Sequence, residues 1–244
     1  MVSIKRTAFG LALLLAGSRA FAATEVALEH AGNDVTDVNS LQRGARNFMN
    51  YCSGCHSAKY VRFNTLGRGL ELTEAQMLDN LMFNADKTFE TIQSNMSSED
   101  AARWFGQAPP DMSLLARSRT TDYIYTFLKG FYLDPESPTG VDNRVLAGTS
   151  MPHVLWELQG FQNAVYTEDE HGARQFSHFE SQTEGSMSPA EFDNFVRDTV
   201  NFLEYISEPV SSTRRELGVW VLLFLALFWV IASMLKKQIW KDVT

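Results

Sequence analysis

The only two cysteines of this 244-residue chain, Cys52 and Cys55, lie three residues apart, and His56 follows directly. A disulfide across two intervening residues would close a tiny loop and staple almost nothing, because the benefit grows with loop length. A zinc site needs four ligands at suitable spacing; the other histidines, at 30, 153, 171 and 178, are scattered, and no second Cys or His pair exists. A redox dithiol of the thioredoxin kind wants a strand before the motif, whereas the residues here carry helical periodicity. What remains is the covalent haem attachment that C-x-x-C-H specifies. Residues i and i+3 share a helical face, so both thiols can add to vinyl groups along one porphyrin edge, and the histidine at i+4 turns toward the iron. Such a chain must wrap a flat macrocycle beside the end of a helix.

Both ends of the chain carry targeting signals. Lys5 and Arg6 precede an apolar run from Ala8 to Ala16, and small residues then end in Ala20-Phe21-Ala22. Residues 1–22 therefore read as a signal peptide, with an uncleaved N-terminal membrane anchor as the alternative. At the other end Leu217 to Leu235 is free of charge. At about 1.5 Å per residue it spans roughly 28 Å, close to the hydrocarbon thickness of a bilayer. Lys236, Lys237 and Lys241 follow it, which favours a cytoplasmic C-terminus, although Arg214 and Arg215 flank the opposite end. The expected organisation is a signal peptide over 1–22, an exported domain over 23–213, and an anchor with a short tail over 214–244.

The exported part is strongly acidic. Residues 23–213 hold 13 basic against 27 acidic side chains, a formal balance of −14. That disfavours nucleic acid and suits a basic protein partner. No repeat or low-complexity tract interrupts residues 40–207, which read as one mainly α domain. A first helix is expected from Asn39-Ser40 toward Cys52, with Leu41, Ala45, Phe48 and Met49 on one face. Gly44 inside it implies that another element comes close. The candidate partner is a helix over Pro189 to Ile206, opened by Ser188 with Glu191 completing a capping box. Shorter helices are expected after Thr73, from Ser98 to Phe105 and from Thr121 to Gly130. Leu133 to Pro152 reads as a long irregular loop, and Val165 to Phe179, with His171-Gly172 in its middle, as a hairpin.

An iron held by His56 has a second axial position. A methionine there raises the reduction potential, because a soft thioether favours the reduced ion. Met49, Met77 and Met82 sit at core spacing and are expected to pack. Met96, Met112, Met151 and Met187 remain as candidates, with Met151 favoured because Pro152 stiffens an irregular loop behind it. His153 is the rival, as a second imidazole.

At this point the residues resemble the cytochrome c1 family, the haem-carrying subunits of cytochrome bc1 complexes (ubiquinol:cytochrome c reductase), bacterial type. The resemblance rests on CSGCH, on WFGQAPPDMSLLARSR from Trp104 to Arg119, on PTGV from Pro138 to Val141, on Met151-Pro152 and on the single C-terminal anchor. It implies a class I cytochrome c-like fold with long loop insertions and one transmembrane helix, carrying one haem c on Cys52 and Cys55. It also implies axial ligation by His56 and Met151, and a propionate contact from Arg119. Pro109 and Pro110 would line the haem pocket, with Tyr123 or, two residues on, Tyr125 against the ring. The extra disulfide of some bacterial relatives cannot form, since both cysteines are used.

The implied function is to pass electrons from a Rieske iron-sulfur protein to a c-type cytochrome, with no acid-base catalytic residue of its own. The implied setting is a complex with cytochrome b, dimeric, in the bacterial inner membrane with the haem domain in the periplasm. Two other readings share the motif. One is a stand-alone anchored cytochrome feeding an oxidase. The other is a haem peroxidase or gas sensor with an open sixth site.

Overall fold

The computed structural model describes residues 26–168 and 174–241; the expected signal peptide and the His171-Gly172 turn lie outside them. The domain is built on two crossing helices. The first, α1 (Val38–Tyr51), is capped by Asp37, whose side chain accepts the Ser40 N–H. It thus starts slightly earlier than expected, because the aspartate rather than Asn39 or Ser40 supplies the cap. The second, α8 (Pro189–Ser207), opens with the anticipated proline and the full Ser188/Glu191 capping box.

The helices meet at Gly44. A Cβ there would collide with the Asp198 carbonyl and the Phe202 Cβ, so only glycine permits this crossing. Around it Phe48 and Phe202 pack with ring centroids 5.6 Å apart. Leu41, Ala45, Val196, Val200 and Leu203 complete an apolar seam. Beside that seam runs a polar one, in which Asp198 accepts from the Arg43 Nη2 at 2.9 Å and from the Ser40 hydroxyl at 2.7 Å. Asn201, fully buried, donates to Ser40 Oγ and to the Asp34 carbonyl. Burying that carboxylate is tolerable because cationic and hydroxyl donors satisfy it.

Short elements wrap this pair. After the haem motif come β1 (Ala58–Arg62), α2 (Phe63–Gly69) and α3 (Glu74–Asn80), the last with the expected Thr73/Gln76 capping box. Then follow β2 (Thr91–Ile92), antiparallel to β1, and α4 (Ser98–Phe105). Next are α5 (Leu115–Arg119) and α6 (Thr121–Lys129), which both pack on α8. The stretch expected to be wholly irregular contains a small hairpin, β3 (Phe131–Leu133) with β4 (Val141–Asn143), before its loop resumes. After the short α7 (Trp156–Gln159), β5 (Gln162–Glu168) and β6 (Arg174–Ser181) form the anticipated hairpin, somewhat longer than expected.

The last helix, α9 (Ser211–Ile239), contains the apolar run, whose mean hydropathy reaches 2.5. None of that window is buried, so it is not a core helix. An unburied apolar helix of this length is suited to a bilayer.

Candidate haem-binding site

The end of α1 shapes the haem motif. The helix stops at Tyr51, but the Cys52 and Ser53 N–H groups both donate to the Phe48 carbonyl, and the His56 N–H donates to the Cys52 carbonyl at 2.8 Å. Cys52 to His56 is therefore one further turn following the helix rather than part of its interior. Ser53 is buried and returns its hydroxyl to the Met49 carbonyl. Cys52 and Cys55 are not joined to each other as a disulfide. Burial, with the neighbouring Cys55 adding to it, pushes the Cys52 thiol up to about 12, and burial raises Cys55 as well. Among the described residues no group of three or more His, Cys, Asp and Glu side chains converges that could hold a metal ion.

A cavity of about 350 Å³ opens beside this turn, within the range typical of ligand sites. Eight of the residues singled out from the sequence line it: Cys52, Cys55, His56, Pro109, Pro110, Arg119, Tyr123 and Met151. Four stretches far apart in the chain supply them. The His56 ring is oriented by its Nδ1, 2.8 Å from the Pro110 carbonyl. A carbonyl only accepts, so Nδ1 carries the proton and Nε2 keeps its lone pair. Burial lowers the His56 pKa, opposed by Pro110 and by nearby Asp111, which keeps the imidazole neutral as a metal ligand must be.

Arg119 ends α5 and Tyr123 sits in the first turn of α6. Thr120 alone joins the two helices at φ 73°, a conformation that a β-branched residue adopts at a cost. Its hydroxyl also caps α6 by accepting the Tyr123 N–H. This abrupt junction brings the Arg119 guanidinium carbon to 5.4 Å from the Tyr123 ring centroid, both at the cavity. Tyr125, the alternative aromatic, does not line it; it is buried and bonded to Lys129.

Of the methionine candidates, Met112 and Met151 line the cavity and Met96 and Met187 do not. Met49, Met77 and Met82 are core residues, as expected. His153, the rival imidazole, is absent from the wall. It is buried and stacked on Phe131 at 5.1 Å. Sequence reasoning did not find the rest of the lining, including Phe127, Leu128, Thr199 and Leu203. Their only signal was apolar periodicity on α6 and α8, which marks a core face without telling it from a cavity wall.

The residues fit a haem: two thiols at the end of a helix, a neutral oriented imidazole, a thioether, a guanidinium and an apolar wall. Fold and site together define a monohaem c-type cytochrome with a C-terminal helix long and apolar enough to cross a membrane. The chain belongs to the Cytochrome C1 family, which it matches over residues 30–243. It is 45% identical over 218 residues to cytochrome c1 of Allochromatium vinosum, covering 88% of this chain and 89% of that one. It is 38% identical over 241 residues to a Nitrosomonas europaea protein named ammonia monooxygenase gamma subunit, covering 96% of each. It is 30% identical to cytochrome c1 of Rhodospirillum rubrum, covering 85% of this chain and 83% of that one. As a member of this family it carries one covalent haem c and acts as the electron-transfer haem subunit of a bc1 complex.

Proposed function

We propose that the chain receives single electrons from a Rieske iron-sulfur protein and delivers them to a c-type cytochrome, from a haem domain held on the periplasmic side of the bacterial inner membrane. The observation that carries this reading is the convergence of His56, Met151, Arg119 and both cysteines on one cavity. When bound, the haem supplies a one-electron ferric/ferrous couple. Cys52 and Cys55 would tether it, and His56 Nε2 and Met151 Sδ would hold its iron. A thioether opposite imidazole biases the couple toward high potential.

Met112 also reaches the cavity, but its N–H donates to the carbonyl of Ser57, the residue after His56. It therefore belongs to the His56 wall, whereas Met151 comes from a separate loop. Arg119 would take a propionate in a charge-assisted contact, and Pro109, Pro110 and Tyr123 would close the pocket. The chain would act as an electron relay with no acid-base catalytic residue of its own, and quinol oxidation would fall to a cytochrome b partner. The formal −14 of residues 23–213 suits a basic acceptor. Lys236 and Lys237 in the last turn of α9 and Lys241 just beyond it favour a cytoplasmic tail, and residues 1–22 would act as the cleaved export signal.

Purification of the membrane assembly tests the reading. Cytochrome b and a Rieske protein are expected to accompany the haem polypeptide, with quinol-dependent reduction of a soluble cytochrome c. A haem polypeptide that purifies alone, or with monooxygenase subunits, would overturn it. Met151→Leu is expected to abolish the long-wavelength charge-transfer band of thioether-ligated ferric haem; a band that survives transfers the ligand role to another residue.

A further inference from the structure

The Pro110 carbonyl that orients His56 belongs to a segment with no means of holding itself, since Pro109 and Pro110 have no N–H to donate. The next residues provide the hold. Asp111 Oδ2 accepts the Lys59 N–H at 3.0 Å, and Asp111 Oδ1 accepts the Ser113 N–H at 2.9 Å. The Ser113 hydroxyl, fully buried, accepts the Tyr60 N–H at 3.1 Å. The Met112 N–H donates to the Ser57 carbonyl at 2.7 Å. Together these bonds lay residues 110–113 alongside residues 56–60, so the strand that follows the haem motif grips the loop whose carbonyl holds the motif's own histidine.

We propose that Asp111 and Ser113 are positioning residues for the axial imidazole: by clamping the loop to β1 they fix the Pro110 carbonyl against His56 Nδ1. The inference rests on His56 being the iron ligand and adds to it the groups that set its orientation and basicity. An Nδ1–H held by an acceptor enriches Nε2 in electron density and steadies the ring. Loosening the clamp lets the ring vary in orientation and weakens its donation, which favours the ferrous ion.

The test uses full-length protein bearing haem, read by redox titration and by electron paramagnetic resonance of the ferric form. Asp111→Ala is expected to raise the midpoint potential and to broaden or split the low-field resonance, with haem content unchanged. Ser113→Ala removes one clamp bond without altering charge and is expected to change the resonance in the same sense, more weakly. Asp111→Asn keeps one acceptor oxygen and is expected to lie between wild type and Asp111→Ala in linewidth. Two results would overturn the proposal: wild-type spectra for both Ser113→Ala and Asp111→Asn, or an Asp111→Asn potential equal to that of Asp111→Ala with no broadening in either, which would make the carboxylate a mere charge. If Asp111→Ala does not accumulate, the other two variants decide. Absence of covalent haem from the wild-type chain would instead sink the haem reading itself.

Discussion

The two walls of the cavity are held by different means. On the His56 wall the motif closes a turn on α1, and the facing loop is bonded to β1 through Asp111 and Ser113 and to Ser57, just before β1, through Met112. Behind it α1 crosses α8 at backbone contact distance. On the Met151 wall the residue itself makes one long bond, its N–H to Thr149 Oγ1 at 3.4 Å, and Pro152 has no donor. The loop is fixed further back, by Asn143 and Asp142, and further on by apolar packing of Leu155 and stacking of His153. The imidazole side is thus held by hydrogen bonds that reach across the chain to the segment carrying His56, whereas the thioether side depends on bonds within its own loop and on packing around it. Ligand loss should begin at Met151.

The largest stability effect is expected from attacking the firmer wall. Gly44→Ala should gain about 1 kcal/mol of helix propensity. It also forces a methyl into the Asp198 carbonyl and the Phe202 Cβ, neither of which can swing aside, so the cost is on the order of 5 kcal/mol, above the usual range for overpacking. A lowered melting temperature with loss of haem-pocket order is the expected result. A variant that melts higher than wild type would mean that α1 and α8 do not approach closely, and the contrast between walls would lose its firm side.

That crossing was legible in the sequence because its cause is local: glycine inside an apolar helical stripe says that something approaches. The capping boxes at Thr73 and Ser188 were legible for the same reason, each being a hydrogen-bond pair three residues apart. The C-x-x-C-H motif announced its own chemistry. The β3–β4 hairpin was not legible, because its strands are three residues each and lie in a stretch whose prolines and glycines signal turns. Nor was the clamp at Asp111 and Ser113, whose bonds join residues more than fifty positions apart. Cavity walls assembled from α1, α5, α6 and α8 leave no joint periodicity to read.

Acid should probe the softer wall. His153, two residues after Met151, is buried against Phe131 and Phe161, and burial lowers its pKa to about 4 from 6.5, with the Gly160 backbone opposing the shift in part. The unfolded chain therefore binds a proton that the folded one refuses between those two values. Stability from this group is full above pH 6.5 and falls as the pH drops toward about 4, by about 2 to 3 kcal/mol in all. His153→Phe should flatten that part of the pH profile in thermal melts of the full chain. An unchanged acid limb would assign the sensitivity to other groups.

The smallest effect should separate the walls most clearly. Asn143, 1% exposed, accepts the Val145 N–H at 2.8 Å and the Leu146 N–H at 3.3 Å, and donates to the Phe127 carbonyl at 2.8 Å. It ties the start of the Met151 loop to the end of α6, which lines the same cavity. Asn143→Ala should cost about 2 kcal/mol, since three modest bonds are lost and a methyl remains where an amide was satisfied. Its signature should be spectroscopic: the thioether charge-transfer band should fade on heating before the far-ultraviolet helical signal does, because the His56 wall and the α1–α8 seam keep their own bonds. Coincident loss of band and helix would show instead that the two walls unfold as one cooperative unit, and the difference in how they are held would have no energetic consequence for the ligand.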